Sequence, residues 1–195
     1  MRRFVPIAAL VAGVIGIAAL GATAFAANRG PAGPVSAYAS QTLGYSIGLP
    51  APWRRSAVLS ALVNNGSLKL GHEVFTIRST GDEAGVLNDP GPGAGWSYVA
   101  VVEQWRDPLA WTPMAWATDP LLAGWAQGQV VENATIDGHV AAKVTNGPRF
   151  SVAYYVYDAG RMFVVGYKVD RPDWKPSAAT ESDLRAIVAS FHITP

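Results

Sequence analysis

Three histidines, His72, His139 and His192, are the side chains of this 195-residue sequence best suited to bind a metal or move a proton near neutral pH. They do not share a short metal-binding spacing, and no His-Glu-x-x-His, calcium-loop or Walker pattern occurs. We therefore predict no metal and no cofactor. His139 together with an acidic partner distant in sequence is kept as the candidate for a hydrolase site.

Tryptophan is unusually frequent, with seven residues in the chain. Five of them fall within one short stretch: Trp96, Trp105, Trp111, Trp116 and Trp125. Core packing is the ordinary role of each indole. The alternative is an exposed aromatic platform for a glycan, a peptide or a membrane interface, and for it we select Trp111 and Trp116 as the candidate ligand-binding residues.

Other catalytic chemistries find little support in the residues. The chain has no cysteine, which excludes disulfides, thiolate nucleophiles and a bacterial lipid anchor. Gly95-Trp96-Ser97 lacks the second glycine of a nucleophile elbow, and the acidic pairs lie in segments rich in turn residues. We assign no catalytic residue and predict that the protein is not an enzyme.

Charge argues against nucleic acid as a partner. Without Arg2 and Arg3 the chain carries 13 basic and 14 acidic side chains, and the basic ones are scattered. Apolar residues make up 50% of the chain and charged residues only 15%, a low charge content that argues against disorder beyond a short linker.

The N-terminus carries an apolar run without charge from Phe4 to Ala27, behind Arg2 and Arg3. A helix of about 24 residues would span about 36 Å, enough to cross a bilayer and to serve as an inner-membrane anchor through residues 4–27. The run also ends in Ala24-Phe25-Ala26, a small-x-small site that favours signal-peptide cleavage between Ala26 and Ala27. Both alternatives stay open for residues 1–27.

Both alternatives predict the same location for the rest of the chain. The two arginines are retained on the cytoplasmic side, so the C-terminal part is expected outside the cytoplasm. It would be secreted, or tethered to the outer face of the cytoplasmic membrane.

The exported part divides by composition. Residues 28–40 are rich in Pro, Gly and Ala and predict a flexible linker, so that the domain is residues 41–195. Asn64-Asn65-Gly66 between the runs 58–63 and 68–79 predicts a hairpin whose second strand is 73–78. Residues 81–95 are too rich in proline and glycine for a strand and predict an exposed loop.

Alternating apolar residues separated by turn signals predict an antiparallel meander. Its expected strands are 45–49, 73–78, 97–105, 129–134, 139–145, 150–157 and 162–169, with one or two short helices between Pro113 and Gln127. Leu184, Ile187, Val188 and Phe191 recur at helical spacing and predict a C-terminal amphipathic helix that covers the sheet.

Four short motifs resemble the PsbP-like fold. They are Tyr45-Ser46-Ile47-Gly48-Leu49-Pro50 with Trp53, Ile136-Asp137-Gly138-His139-Val140-Ala141, Tyr154-Tyr155-Val156 with Arg161-Met162-Phe163, and Leu184 to Phe191. The resemblance implies an antiparallel sheet with helices on both faces. Together with the strands and the apolar run found in the sequence, it gives the expected fold: an α+β domain with a twisted antiparallel sheet of about six or seven strands after an N-terminal apolar helix. The resemblance also implies binding or assembly roles and supplies no catalytic residue.

The leading functional hypothesis is a non-enzymatic, extracytoplasmic binding or accessory domain for a protein or other ligand. The first alternative is a glycan or cell-wall binding module that uses Trp111 and Trp116. The second alternative is a hydrolase whose site is assembled from distant residues such as His139.

Overall fold

The computed structural model describes residues 35–61, 68–77, 99–169 and 178–195. The chain divides into two units, Met1–Pro31 and Ala32–Pro195, and every described residue belongs to the second. The predictions for the segment 1–27, for Asn64-Asn65-Gly66 and for residues 81–95 lie outside the described residues. Within the described ranges, no helix has the length and apolar character needed to span a membrane.

The described residues contain ten strands and three helices. The strands are β1 (Val35–Ser40), β2 (Tyr45–Pro50), β3 (Arg54–Ser56), β4 (Lys69–Thr76), β5 (Val99–Arg106), β6 (Val130–Ile136), β7 (His139–Thr145), β8 (Val152–Asp158), β9 (Arg161–Lys168) and β10 (His192–Ile193). The helices are α1 (Ala57–Ser60), α2 (Pro113–Thr118) and α3 (Ala178–Ala189).

The strands form two antiparallel sheets. The larger has seven strands in the order β3-β4-β5-β9-β8-β7-β6, and the smaller has three in the order β1-β2-β10. The sequence predicts one sheet of about six or seven strands, and the α+β class with a predominantly antiparallel sheet is confirmed. The separate small sheet was not predicted.

Local sequence explains the turn between β6 and β7. Asp137 and Gly138 connect β6 to β7 and both have positive φ, 51° and 76°. Asp and Gly tolerate this backbone conformation, and two such residues in succession form the turn that matches the twist of a hairpin. The register from Ile136 opposite His139 to Val130 opposite Thr145 follows without interruption.

Two hydrophobic cores are interleaved along the strands. On β9, Phe163 and Val165 belong to the first core, whereas Met162 and Val164 belong to the second. Because successive side chains of a strand point to opposite faces, the two cores lie on opposite sides of the large sheet. The first core includes Leu184, Ile187 and Val188 of α3, and the second includes Trp116 and Ala117 of α2.

Two elements differ from the sequence predictions. Val35–Ser40 forms β1, paired along its length with β2, so the flexible linker predicted over 28–40 is wrong for these six residues. The last proline of the segment is Pro34, so the residues after it are free to form a strand, and Tyr38 packs against the first core. The average composition of residues 28–40 did not show this difference. Residues 58–60, which the hairpin prediction placed in a strand, belong to α1, because Ser56 caps this helix by accepting from the Leu59 N–H.

Candidate functional site

The two candidate ligand-binding residues are not exposed side by side. Trp116 is 3% exposed and belongs to the second core, where its ring centroid lies 6.1 Å from that of Trp105. Trp111 is half-buried against the same core. The exposed platform predicted from Trp111 and Trp116 is therefore wrong, because α2 packs against β6, β7 and β8 and directs Trp116 inward.

Large apolar side chains are nevertheless exposed in the same connection between β5 and β6. Leu109 is 69% exposed, Leu121 is 93% exposed and Trp125 is 73% exposed. We call these three residues the apolar display. Water contact with so much apolar area is unfavourable, which makes such side chains candidates for contact with a partner.

The start of this connection is held by helix caps. Thr112 accepts a hydrogen bond from the Ala115 N–H at 3.2 Å, and Pro113 occupies the first turn, where its missing N–H costs nothing. Asp119 ends α2 and its Oδ1 accepts from the N–H groups of Leu121, at 2.8 Å, and Leu122, at 3.1 Å. The backbone that carries Leu121 is therefore fixed on both sides.

The end of the connection is fixed in a similar way. Gln129 accepts from the Ala126 N–H at 3.3 Å, next to Trp125, and Ala123 is buried in the second core. Gly124 has φ +75° and approaches Pro148 so closely that an added Cβ would lie 2.8 Å from the Pro148 Cγ. Trp125 is thus displayed on backbone whose conformation is set by its neighbours.

A buried charge cluster supports the second core beneath this connection. Glu103 is buried, and it accepts from Lys69 Nζ at 2.7 Å and from Arg149 Nη2 at 2.6 and 2.7 Å. The Trp105 indole N–H donates to the same carboxylate at 3.1 Å, and the Lys69 ammonium lies 5.3 Å from the Trp105 ring centroid. The Glu103 carboxylate is thus hydrogen-bonded to Lys69, Arg149 and Trp105 at once.

The electrostatics of Glu103 follow from this pairing. Burial alone would raise the pKa of the Glu103 carboxyl, but the charges of Arg149 and Lys69 outweigh burial and hold the pKa below its ordinary value. A carboxylate held ionised by two cations is a poor general base. Its arrangement serves the fold, since it anchors Arg149 and hence the 146–151 connection.

A second buried carboxylate, Glu73, faces the first core. The hydroxyl groups of Tyr38, at 2.7 Å, and of Tyr45 donate hydrogen bonds to the Glu73 carboxylate. Arg55 Nε forms an ion pair with the same carboxylate at 2.8 Å. Burial would raise the Glu73 pKa, but the hydroxyls of Tyr45 and Tyr38 and the charge of Arg55 lower it overall. Burial and the Glu73 hydrogen bond in turn raise the pKa of Tyr38 to about 12.

Two of the three histidines, His139 and His192, lie near the carboxylate of Asp137 at the protein surface. Asp137, in the β6–β7 turn, lies 2.6 Å from His192 Nδ1 and 4.0 Å from His139 Nε2. The Oδ2 atom of Asp137 accepts a hydrogen bond from the Ile193 N–H at 2.9 Å. Desolvation opposes ionisation of Asp137, but His192 and the Ile193 N–H lower its pKa overall.

The contacts of Asp137 fasten the C-terminal strand β10 to the β6–β7 turn. Side chains of His192 and His139 are more than one-third exposed. Within the described part of the chain, no group of three or more His, Cys, Asp or Glu residues is placed to hold a metal. His72 lies elsewhere, buried beside the Leu59 carbonyl at 3.2 Å.

The sequence contains one signal for the exposure of the apolar display. Leu121 and Trp125 stand in a segment that begins with Asp119-Pro120 and contains Gly124 and Gly128, so no helical or strand period can bury them. Trp111 instead precedes the helix that begins at Pro113, and Trp116 lies within it. Large apolar residues outside any period were the better candidates for exposure.

No protein-family model matches the chain, and no curated protein matches it either. Among solved structures, the chain is similar to the solution structure of cyanobacterial PsbP from Synechocystis sp. PCC 6803. The sequence identity is 15% and the TM-score 0.45, over 85% of this chain and 97% of that chain. This is the fold that the sequence motifs resemble, and the likeness concerns the fold alone.

Proposed function

We propose that the protein is a non-enzymatic binding or accessory domain that holds a client protein through the apolar display of Leu109, Leu121 and Trp125. The observation that carries the proposal is the exposure of all three side chains, of which Leu121 and Trp125 stand on backbone fixed by Asp119, Gln129 and the packed Gly124. Binding to a prearranged surface avoids the entropy cost of ordering a loop. Tryptophan is also among the residues that contribute most at protein interfaces.

The proposal places this activity outside the cytoplasm. Its support is the uncharged run from Phe4 to Ala27 behind Arg2 and Arg3, which fits a signal peptide or an apolar membrane helix. The proposal includes helices on both faces of the large sheet, supported by the membership of α2 and α3 residues in different cores. Mass spectrometry of the mature N-terminus tests export: a chain that begins at Ala27 indicates cleavage, and an intact cytoplasmic chain contradicts the proposal.

Photo-crosslinking from position 125 tests the binding surface. A photoreactive phenylalanine analogue replaces Trp125 in the full chain, and the producing cells are irradiated. We expect a discrete protein adduct whose yield falls at least about fivefold when Leu121→Ser is added, because Leu121 lies on the same short connection. A control probe at Val35, which is exposed on β1, should not give this adduct. Equal adduct patterns from both positions would refute the proposal.

A glycan or cell-wall module is the second candidate, and the exposure of Trp125 favours it. An exposed indole face can stack on a sugar ring, and Trp111 and Trp116 are then not its main contacts. Co-sedimentation of the full chain with insoluble cell wall separates the two candidates. Retention that is lost in Trp125→Ala, without any protein adduct, would favour the glycan.

The hydrolase alternative is kept for one contact, the 2.6 Å approach of Asp137 to His192. A carboxylate can orient an imidazole as a general base. Turnover of a hydrolase substrate panel by the full chain, abolished by His192→Ala or His139→Ala, would replace the binding proposal.

A further inference from the structure

The two edges of the large sheet are built differently. Edge strand β3 has three residues, two of them Arg54 and Arg55, and α1 follows it directly. Edge strand β6 has seven residues, and its register with β7 is free of bulges. Short length and charge are the usual protection of a sheet edge, and β3 has both.

Strand β6 lacks the same protection. Its sequence, Val-Val-Glu-Asn-Ala-Thr-Ile, contains no proline and one charge. That charge, on Glu132, is neutralised by Lys143 of β7 at 2.6 Å. Among the described residues no strand pairs with the outer side of β6. A long, regular and neutral edge is a template for another strand.

The turn geometry identifies which backbone groups face outward. Ile136 and His139 flank a two-residue turn, so they exchange hydrogen bonds with each other, and alternate pairs along the ladder do the same. The N–H and C=O groups between these pairs point away from β7. They belong to Val131, Asn133 and Thr135.

We propose that β6 is the self-association edge of this protein, where two copies of the chain pair through antiparallel β6 strands about a twofold axis at Asn133. The three outward-facing residues are then self-complementary. Asn133 pairs with Asn133 of the second copy, and Val131 pairs with its Thr135.

The side chains fit this register as well as the backbone. Val130, which is exposed, lies opposite Ile136 of the second copy, and Glu132 lies opposite Ala134. No like charges meet, and each Glu132 keeps its own Lys143. A second copy is favoured over an unrelated strand because one register of the same seven residues matches every outward group and places no charges in opposition.

Charge placed on the axis tests the proposal without disturbing the monomer, since Asn133 is exposed. Sedimentation of the full chain should show a monomer–dimer equilibrium. Asn133→Lys should raise the dimer dissociation constant about fivefold, because two ammonium groups face each other across the axis. Asn133→Asp should do the same, and an equal mixture of the two variants should restore dimers.

Crosslinking supplies an independent readout, because the chain contains no cysteine. Directly opposite residues in such a pair have Cα atoms about 5.5 Å apart, within disulfide range. Asn133→Cys should therefore form a disulfide-linked dimer under mild oxidation. The control Val140→Cys, exposed on the neighbouring strand, should not.

A chain that stays monomeric at all accessible concentrations would overturn the proposal. So would dimers whose dissociation constant is the same in Asn133→Lys and in the unaltered chain. Capture of an unrelated extended peptide by β6, with no dimer, would equally overturn it. Each result is independent of the apolar display, which lies in a different segment.

Discussion

Glu73 and Glu103 lie on neighbouring strands of the large sheet but face opposite cores. Glu73 is held by the hydroxyls of Tyr38 and Tyr45 and by Arg55, so that one cation and two neutral donors surround it. Glu103 is held by two cations and an indole.

The coverings of the two cores differ in a related way. The first core is covered by α3 and the small sheet. Tyr45 of β2 and Phe191, which connects α3 to β10, are both buried in it. The second core is covered by α2 and the connection that exposes Leu121 and Trp125. The difference teaches that buried charge and exposed apolar area are separated here: both carboxylates are buried within the layers, and the apolar display lies in the covering of the second core, where we propose that a partner binds.

Removal of the Glu103 carboxylate should have the largest effect on stability. Glu103→Ala leaves Lys69 buried without its counter-ion, and we expect a loss of about 3–5 kcal/mol in the free energy of unfolding. Urea denaturation followed by circular dichroism measures it. Glu132→Ala is the matched control, since its pair with Lys143 is exposed and should contribute about 0–1 kcal/mol. Equal losses in both variants would show that Glu103 does not differ from a surface ion pair.

A smaller loss is expected on the other side of the sheet. Glu73→Gln keeps the side-chain shape but removes the charge that Arg55 and the two hydroxyls satisfy, and we expect about 1–3 kcal/mol. The same denaturation assay applies. Glu181→Gln, at an exposed pair with Arg185, is the control and should change little. A loss for Glu73→Gln above that for Glu103→Ala would reverse the comparison between the two cores.

The rigidity of the apolar display depends on Gly124. Gly124→Ala must adopt a positive φ and also displace Pro148, and we expect a loss of about 1–2 kcal/mol. Gly128→Ala is the control for backbone conformation alone, because its φ is +79° but nothing lies within 4 Å of its added Cβ. Denaturation should separate the two variants. If Gly128→Ala is as damaging, contact with Pro148 does not hold the connection.

Lowering the pH should destabilise the protein less than truncation of Glu73 or Glu103, because protonation removes the charge but keeps the side chain in place. Their folded-state pKa values are lowered, so their contribution is complete above the ordinary carboxyl pKa of about 4.3 and is lost as pH falls through the folded pKa. Thermal denaturation between pH 7 and pH 3 should show this decline. It should flatten in Glu73→Gln and Glu103→Gln, and an unchanged slope in both variants would contradict the assignment.

The meander was predictable from sequence because its signals are local. Alternation and the Asp137-Gly138 turn defined β7 at its observed limits and β6, β8 and β9 within two residues at either end. The pairing of β1 with β2 is local, and it was missed because the prolines and glycines before Val35 dominate the composition of residues 28–40. The burial of Trp116 was not predictable, because it depends on the packing of α2 against β6, β7 and β8. The same holds for Glu73 and Glu103, whose partners Tyr38 and Arg149 are distant in sequence.

The most direct test of the account is the yield of the photo-adduct from position 125, measured per folded molecule in Leu121→Ser and in Glu73→Gln. The account predicts that the two variants separate. Leu121→Ser should change the free energy of unfolding by less than about 0.5 kcal/mol, because Leu121 is 93% exposed, yet lose most of the adduct if this side chain belongs to the proposed binding surface. Glu73→Gln should lose stability while its folded fraction keeps the adduct. A yield that follows stability in both variants would contradict a dedicated apolar binding surface.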